Sequence, residues 1–282
     1  MPELPEVETI ARGVDERLRG DRIVEVWFGS HVQPFKTAPA VQAAGLEGRV
    51  ILGVHRVGKH IVCELGDVAD GDDTGAKAQW IVHLGMTGRL LVTTPEGPVA
   101  PHTHARLTLE SGKEMRFVDP RRFGRLEFRL LGGDKAGDKA FVGPGAEPLT
   151  ITPEAFVELF RGRRLAIKAA LLNQTLLHGV GNIYADESLF HAGIRPRRMA
   201  GRLKRAELLK LREALLQVLC HAIELGGSSV SDYVDADGVR GFFQLEHRVY
   251  LRTGQPCMVC GTPIRRILLA GRGTHFCPVC QR

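Results

Sequence analysis

Two cysteine pairs near the C-terminus, Cys257/Cys260 and Cys277/Cys280, constrain this chain more than any other feature. Two residues separate the members of each pair, and sixteen lie between the pairs. This spacing matches a four-cysteine zinc site built on two facing knuckles. Four thiolates complete zinc's tetrahedron, so such a metal is structural and holds a hairpin too small for its own core. The alternative is two disulfides, which need an oxidising compartment. No run approaches the roughly 18 apolar residues of a membrane span. The acidic N-terminus lacks the pattern of a secretory leader. Zinc and a cytosolic location are therefore expected. Cys63 and Cys220, in apolar and helical runs, read as buried small hydrophobes.

The 282 residues suffice for one large domain or two ordinary ones. Pro5, Glu6 and Glu8 open a helix in which Val7, Ile10, Val14 and Leu18 recur at helical spacing, up to Gly20. From 21 to 130 the chain reads as strands: RIVEVWF, GRVILGVHRV, HIVCEL, WIVHLGM, GRLLVT, ARLTLE, EMRFVD and GRLEFRL. Short strands in series predict a sandwich or barrel. The acidic, Gly-rich stretch 66–79 is expected to be an exposed hairpin loop. A Gly-rich linker follows. Then come TPEAFVELF, capped by Thr152 with Pro153 first, LAIKAALLNQTLL ended by His178-Gly179, a helix opened by Gly181-Asn182, and RAELLKLREALLQVLCHAIEL closed by Gly226-Gly227. The fold class is α+β and multidomain. It divides into 1–133, 134–150 as linker, 151–246 containing a loop at 226–243, and the hairpin 247–282.

The net charge of +6 suits a polyanionic partner, although many basic proteins bind none. Placement is more informative. Arg161, Arg163, Arg164 and Lys168 crowd one segment, and Arg265, Arg266 and Arg272 another, beside Gly-rich turns that fit a phosphate-tracking groove. GRG places Arg272 at a turn where backbone and guanidinium can approach a phosphate together. Gly179, Gly181 and Asn182 leave free N–H groups at a helix start, an anion site in principle and a plain cap by default. Removal of Met1 would make Pro2 an α-amine with a pKa of roughly 8, partly neutral at pH 7. A secondary amine attacking a sugar carbon gives an iminium directly, and Glu3 stands next to it as a proton donor. Two residues alone read more simply as an idle leader.

MPELPEVET, VGKH, HLGMTGRL, DPRRFG, AIK, GVGNIYADESLF, GGSSVSDYV and GRGTHFCPVCQR, in this order along the whole chain, resemble the bacterial formamidopyrimidine-DNA glycosylase family. The 66–79 stretch looks longer than the family pattern and leaves these motifs untouched. The resemblance implies an N-terminal helix and β-sandwich, a helix-two-turn-helix domain and a zinc finger. It implies excision of 8-oxoguanine and formamidopyrimidines, followed by strand cleavage through β,δ-elimination. Pro2 is then the nucleophile, Glu3 the proton donor, Lys59 the residue of β-elimination and Arg272 that of δ-elimination. His83, His102, Arg121, Arg163, Asn182 and Arg266 hold DNA. Met86, Arg121 and Phe123 fill the gap left by a base that must be extruded to be reached. By residue type alone, Met86 and Phe123 read as core. Glu6, Lys168, Ser228, Val230, Ser231, Asp232 and Tyr233 surround the lesion base. The implied partner is duplex DNA with an oxidised purine opposite cytosine, bound by a cytoplasmic bacterial monomer with one structural zinc, no organic cofactor and no membrane. An endonuclease VIII-like enzyme for oxidised pyrimidines and a non-catalytic zinc-containing DNA-binding protein are the alternatives.

Overall fold

The structure, a computed structural model, describes residues 1–31, 34–67, 75–133, 139–229 and 233–282. Residues 68–74 of the 66–79 stretch, and Val230, Ser231 and Asp232, lie outside the described residues. The chain forms two compact units, Met1–Val142 with Gly226–Gly241, and Gly143–Leu225 with Phe242–Arg282.

The first unit opens with helix α1 (Leu4–Leu18). Among the described residues eight strands follow: β1 (Ile23–Phe28), β2 (Val50–Val57), β3 (His60–Gly66), β4 (Ala78–His83), β5 (Arg89–Thr93), β6 (Thr103–Leu109), β7 (Glu114–Val118) and β8 (Arg125–Leu130). They form two antiparallel sheets, ordered β1-β6-β7-β5 and β2-β3-β4-β8. One core joins them. Ile51, Ile61, Trp80 and Val82 come from one sheet, Leu90, Leu107, Met115 and Phe117 from the other, and Val7, Ile10, Val14 and Leu18 from α1. The helical stripe read from the sequence is therefore the face that packs. A further helix, α2 (Pro39–Leu46), has no sequence signature. It spans eight residues and buries only Gln42 and Leu46, so no apolar period develops. Gln42 is fully buried and accepts the Trp80 indole N–H at 3.0 Å.

The expected division places 226–243 with the helices, whereas Gly226–Gly241 packs with the first unit. Tyr233 and Ala236 enter the sandwich core, and Val92 N–H donates to Ala236 O at 2.9 Å. A Gly-rich composition does not reveal such docking.

The second unit holds α3 (Pro153–Phe160), α4 (Ile167–Leu171), α5 (Asn182–Ala192), α6 (Arg205–Glu224) and the hairpin β9 (Arg265–Leu269)–β10 (Arg272–Phe276). Thr152 caps α3, accepting Ala155 N–H at 3.2 Å. Helix α4 stops far short of His178. Asn173 Oδ1 accepts Thr175 N–H at 3.0 Å, an Asx turn that competes with further helix. Residues 143–150 are packed against their own unit: Ala146 N–H donates to Leu176 O at 2.9 Å. Cys63 is buried as expected, its thiol pushed up to about 12 mainly by desolvation. Cys220 is exposed, because its position on α6 falls outside the buried stripe.

Leu18→Ala removes a fully buried side chain at the end of the α1 stripe. It should cost about 2–5 kcal/mol, read as a lower midpoint in denaturant unfolding of the first unit.

Candidate functional site

Pro2 and Glu3 are held. Pro2 is buried and Glu3 is 5% exposed, while Met1 is 50% exposed. Helix α1 begins at Leu4, one residue earlier than Pro5 indicates, with Glu3 as its N-cap. Helix physics therefore accounts for Glu3 as well. Its N–H donates to Glu6 Oε2 at 2.8 Å, one arm of a capping box. Glu6 Oε1 accepts Ser228 N–H at 2.7 Å. Tyr233 Oη reaches Gly226 O at 3.0 Å. Pro2, Glu3, Glu6, Ser228 and Tyr233 thus belong to one packed unit.

Lys59 sits in the turn between β2 and β3, after Gly58 with φ +61°. His83 ends β4, where its ring packs 4.8 Å from that of His60. Burial first, then the charges of Lys59, Arg125 and Lys36, lower His83 to about 4. It is neutral at pH 7, and its Nδ1 accepts Gly85 N–H at 3.2 Å. A neutral His83 keeps an Nε2–H donor but carries no charge. Lys36, His60, Ile81, His83, Arg125 and Glu127 line a cavity of about 220 Å³.

Met86, Arg121 and Phe123 lie on two crossovers between the sheets: 84–88 joins β4 to β5, and 119–124 joins β7 to β8. Met86 is 43% and Phe123 49% exposed, against their core-like residue types. The crossovers touch closely. A Cβ on Gly85, at φ +65°, would stand 2.5 Å from the Phe123 carbonyl carbon. Asp119, fully buried, fastens both. It accepts Thr87 Oγ1–H at 2.6 Å, Gly124 N–H at 2.7 Å and Arg121 N–H at 3.3 Å. The Arg121 guanidinium lies 4.8 Å from the Phe123 ring centroid. The result is a rigid platform with one cationic and two apolar tips. Asp119 was not singled out from sequence, although it stands in DPRRFG. His102 is exposed with φ +65°.

In the second unit Lys168 is fully buried, which removes it from the surface cluster expected around Arg163. Its Nζ lies 2.7 Å from Asp186 Oδ1 and donates to Gly273 O at 3.0 Å and Thr274 Oγ1 at 2.9 Å. Asn182 Nδ2 also donates to Gly273 O, at 3.0 Å. Asp186 Oδ2 accepts His275 N–H at 2.8 Å. The α5 N-terminus and the hairpin carrying Arg266 and Arg272 are therefore one assembly. The turn itself is Ala270-Gly271, both with positive φ, so Arg272 is the first strand residue, paired with Leu269. This differs from a Gly-Arg-Gly tip. The two-residue type I′ turn is set by the pairing register. Arg163 Nε donates to Leu159 O at 2.5 Å. Glu187 accepts three N–H groups, from Arg248, Val249 and Tyr250, at 2.7 to 3.0 Å. These bonds anchor the chain ahead of the cysteines.

All six cysteines are free. The four Sγ atoms of Cys257, Cys260, Cys277 and Cys280 lie within 4.8 Å of one another. Cys257–Cys280 is 3.8 Å and Cys260–Cys277 is 3.4 Å. Bonds of about 2.3 Å place tetrahedral ligands roughly 3.8 Å apart, so the set fits zinc.

Residues 1–126 match the formamidopyrimidine-DNA glycosylase N-terminal domain, 142–234 its H2TH domain, and 254–282 a zinc finger found in FPG and IleRS. A formamidopyrimidine-DNA glycosylase of Solibacter usitatus is 45% identical over 282 residues, covering all of both chains. The chain belongs to the formamidopyrimidine-DNA glycosylase family. The fold agrees. An Fpg of Lactococcus lactis, in complex with DNA containing an abasic site, gives a TM-score of 0.84 at 33% identity, covering 99% of each chain. MutM (Fpg) of Thermus thermophilus gives 0.81 at 41%, covering 99% of this chain and 98% of that one.

With the sandwich, the H2TH helices and the zinc finger in place, the family architecture expected from sequence is present. The four cysteines are the ligands of one structural zinc.

Elemental analysis should give about one zinc per chain, and Cys257→Ser should lower it and loosen the hairpin in hydrogen exchange. Asp119→Ala should raise the rate of trypsin cleavage after Arg121 or Arg122 about tenfold, mapped by mass spectrometry.

Proposed function

We propose that this protein is a bifunctional DNA glycosylase and abasic-site lyase acting on oxidised purines in duplex DNA. The observation that carries the reading is the start of the chain: Pro2 and Glu3 are buried, and Glu3 is hydrogen-bonded into α1, where termini ordinarily fray. Family membership supplies the reaction class. The Lactococcus lactis Fpg structures include complexes with abasic-site DNA and with Fapy-dG DNA.

In this scheme Met1 is removed, and the neutral Pro2 amine bonds to C1′ as the bond from C1′ to the base breaks, the base leaving with that bond's electron pair and taking up the proton that the amine gives up. Glu3 gives a proton to O4′ as the sugar ring opens, leaving an iminium between Pro2 and C1′. Loss of a C2′ proton then expels the 3′ phosphate, and a second elimination the 5′ phosphate, with Lys59 and Arg272 as the assisting residues. The platform of Met86, Arg121 and Phe123 fills the gap left by the extruded nucleotide, its arginine facing the estranged cytosine. Asn182, Arg163, Arg266, His83 and His102 contact the backbone. Lys168 acts on that grip through Gly273. Glu6, Ser228 and Tyr233, with Val230, Ser231 and Asp232, surround the base. The protein works as a monomer in the bacterial cytoplasm. Among the described residues no helix is long and apolar enough to cross a membrane.

A second substrate class has a specific observation behind it, because one Lactococcus lactis Fpg structure is a complex with oxidised-pyrimidine DNA. Excision assays on 8-oxoguanine and thymine glycol duplexes should favour the purine.

Borohydride should trap a covalent adduct between wild-type protein and 8-oxoguanine DNA, at a mass lacking Met1. Pro2→Gly and Met1-retaining protein should bind DNA with no adduct above background. Wild-type protein that binds and never traps would leave a non-catalytic DNA-binding protein.

A further inference from the structure

Glu6 joins two places that the functional scheme treats separately. Its carboxylate is 2% exposed. Oε2 holds the N–H of Glu3, in the peptide directly after Pro2, at 2.8 Å. Oε1 holds the N–H of Ser228, the entrance to the base-reading segment, at 2.7 Å. Both oxygens belong to one rigid planar group, and both bonds are of the charge-assisted kind.

The approach is built into the backbone. Gly227 has φ +81°, and a Cβ there would stand 2.9 Å from Glu6 Cγ and 3.0 Å from Oε1. Only glycine admits this contact without strain. Tyr233 closes the other side, its hydroxyl 3.0 Å from Gly226 O and 3.4 Å from Glu6 O. Burial and then the Glu6 charge push this phenol far up, so it remains a donor. The segment is also stitched to itself. Ser229 Oγ donates to Tyr233 O at 3.0 Å and accepts Gly241 N–H at 2.9 Å. Ser229 is thereby tied to both Tyr233 and Gly241, and Ser228 beside it to Glu6.

We propose that Glu6 is a positioning residue that couples the seating of the 226–241 segment to the aim of the Pro2 amine. Selection of the base and attack on the sugar are then one mechanical event. A segment that fails to seat leaves Glu6 Oε1 without its amide and frees the Glu3 peptide to rotate. This inference rests on the Pro2 chemistry proposed above.

An abasic site separates coupling from base reading, because it presents no base. Borohydride trapping on an abasic duplex, at saturating enzyme, compares wild type, Gly227→Ala, Glu6→Gln and the double variant. Glu6→Gln turns one acceptor into a donor facing an N–H. Gly227→Ala forces the segment off Glu6. Coupling predicts that each single variant traps about tenfold more slowly at saturating enzyme, and that the double variant is no slower than the slower single one. Tyr233→Phe, which disturbs the seat without touching the backbone, should slow trapping in the same direction and keeps the test open if Gly227→Ala does not fold. Folding is checked by circular dichroism and melting. Gly227→Ala or Tyr233→Phe that excises 8-oxoguanine poorly yet traps abasic DNA at the wild-type rate overturns the inference, as does an additive double variant. Wild-type protein that never traps overturns the proposed function itself, a distinguishable result.

Discussion

The burial of one apolar stripe of α1 determines much of what this protein can do. Val7, Ile10, Val14 and Leu18 leave water for the core between the two sheets, each at no more than 1% exposure. Burying such side chains stabilises by about 1.5–3 kcal/mol apiece. That fixes the helix, and the helix fixes the residues ahead of it. A short N-terminal leader has too few contacts to order itself. Attached to a docked helix, Pro2 and Glu3 inherit its rigidity, and the nucleophile proposed here needs fixed placement.

Buried acids do most of the remaining positioning. Glu6, Asp119, Asp186 and Glu187 are each no more than 2% exposed. An unpaired buried carboxylate is costly, so each is satisfied by backbone N–H groups, a hydroxyl or Lys168. The satisfaction of the acid is at the same time the geometry of a loop. Asp119 fastens the two crossovers that carry Met86, Arg121 and Phe123. Asp186, through Lys168 and His275, fastens the hairpin that carries Arg272 to α5. Glu187 shows the opposing forces directly: desolvation raises its pKa while three backbone donors pull it down, and desolvation prevails.

Helix and strand periods were largely legible. The α1 stripe, the eight strand runs, the Thr152 cap and the closing glycines all have local causes. So does the four-cysteine pattern, since two short spacings suffice to imply tetrahedral ligation. The family resemblance named the residues proposed for the chemistry, but it did not say how they are held. Short α2 left no signal because its one important side chain, Gln42, is polar and faces Trp80. Asn173 ended α4 early by an Asx turn that a run of leucines conceals. Met86 and Phe123 look like core by residue type and stand exposed, because adjacent crossovers present them outward. Lys168 looks like part of a basic surface and is buried, because Asp186 is eighteen residues away in sequence and 2.7 Å away in space.

The sequence by itself determined the local elements, the zinc ligands and, through its motifs, the family. These depend on spacing along the chain, which a sequence displays. Tertiary structure alone decided which acid meets which amide. The Glu6 carboxylate spans Glu3 and Ser228, residues 225 positions apart. No local pattern encodes that bridge. It exists because Tyr233 and Ala236 pack into the sandwich core that α1 also joins, where a buried charge must find its donors.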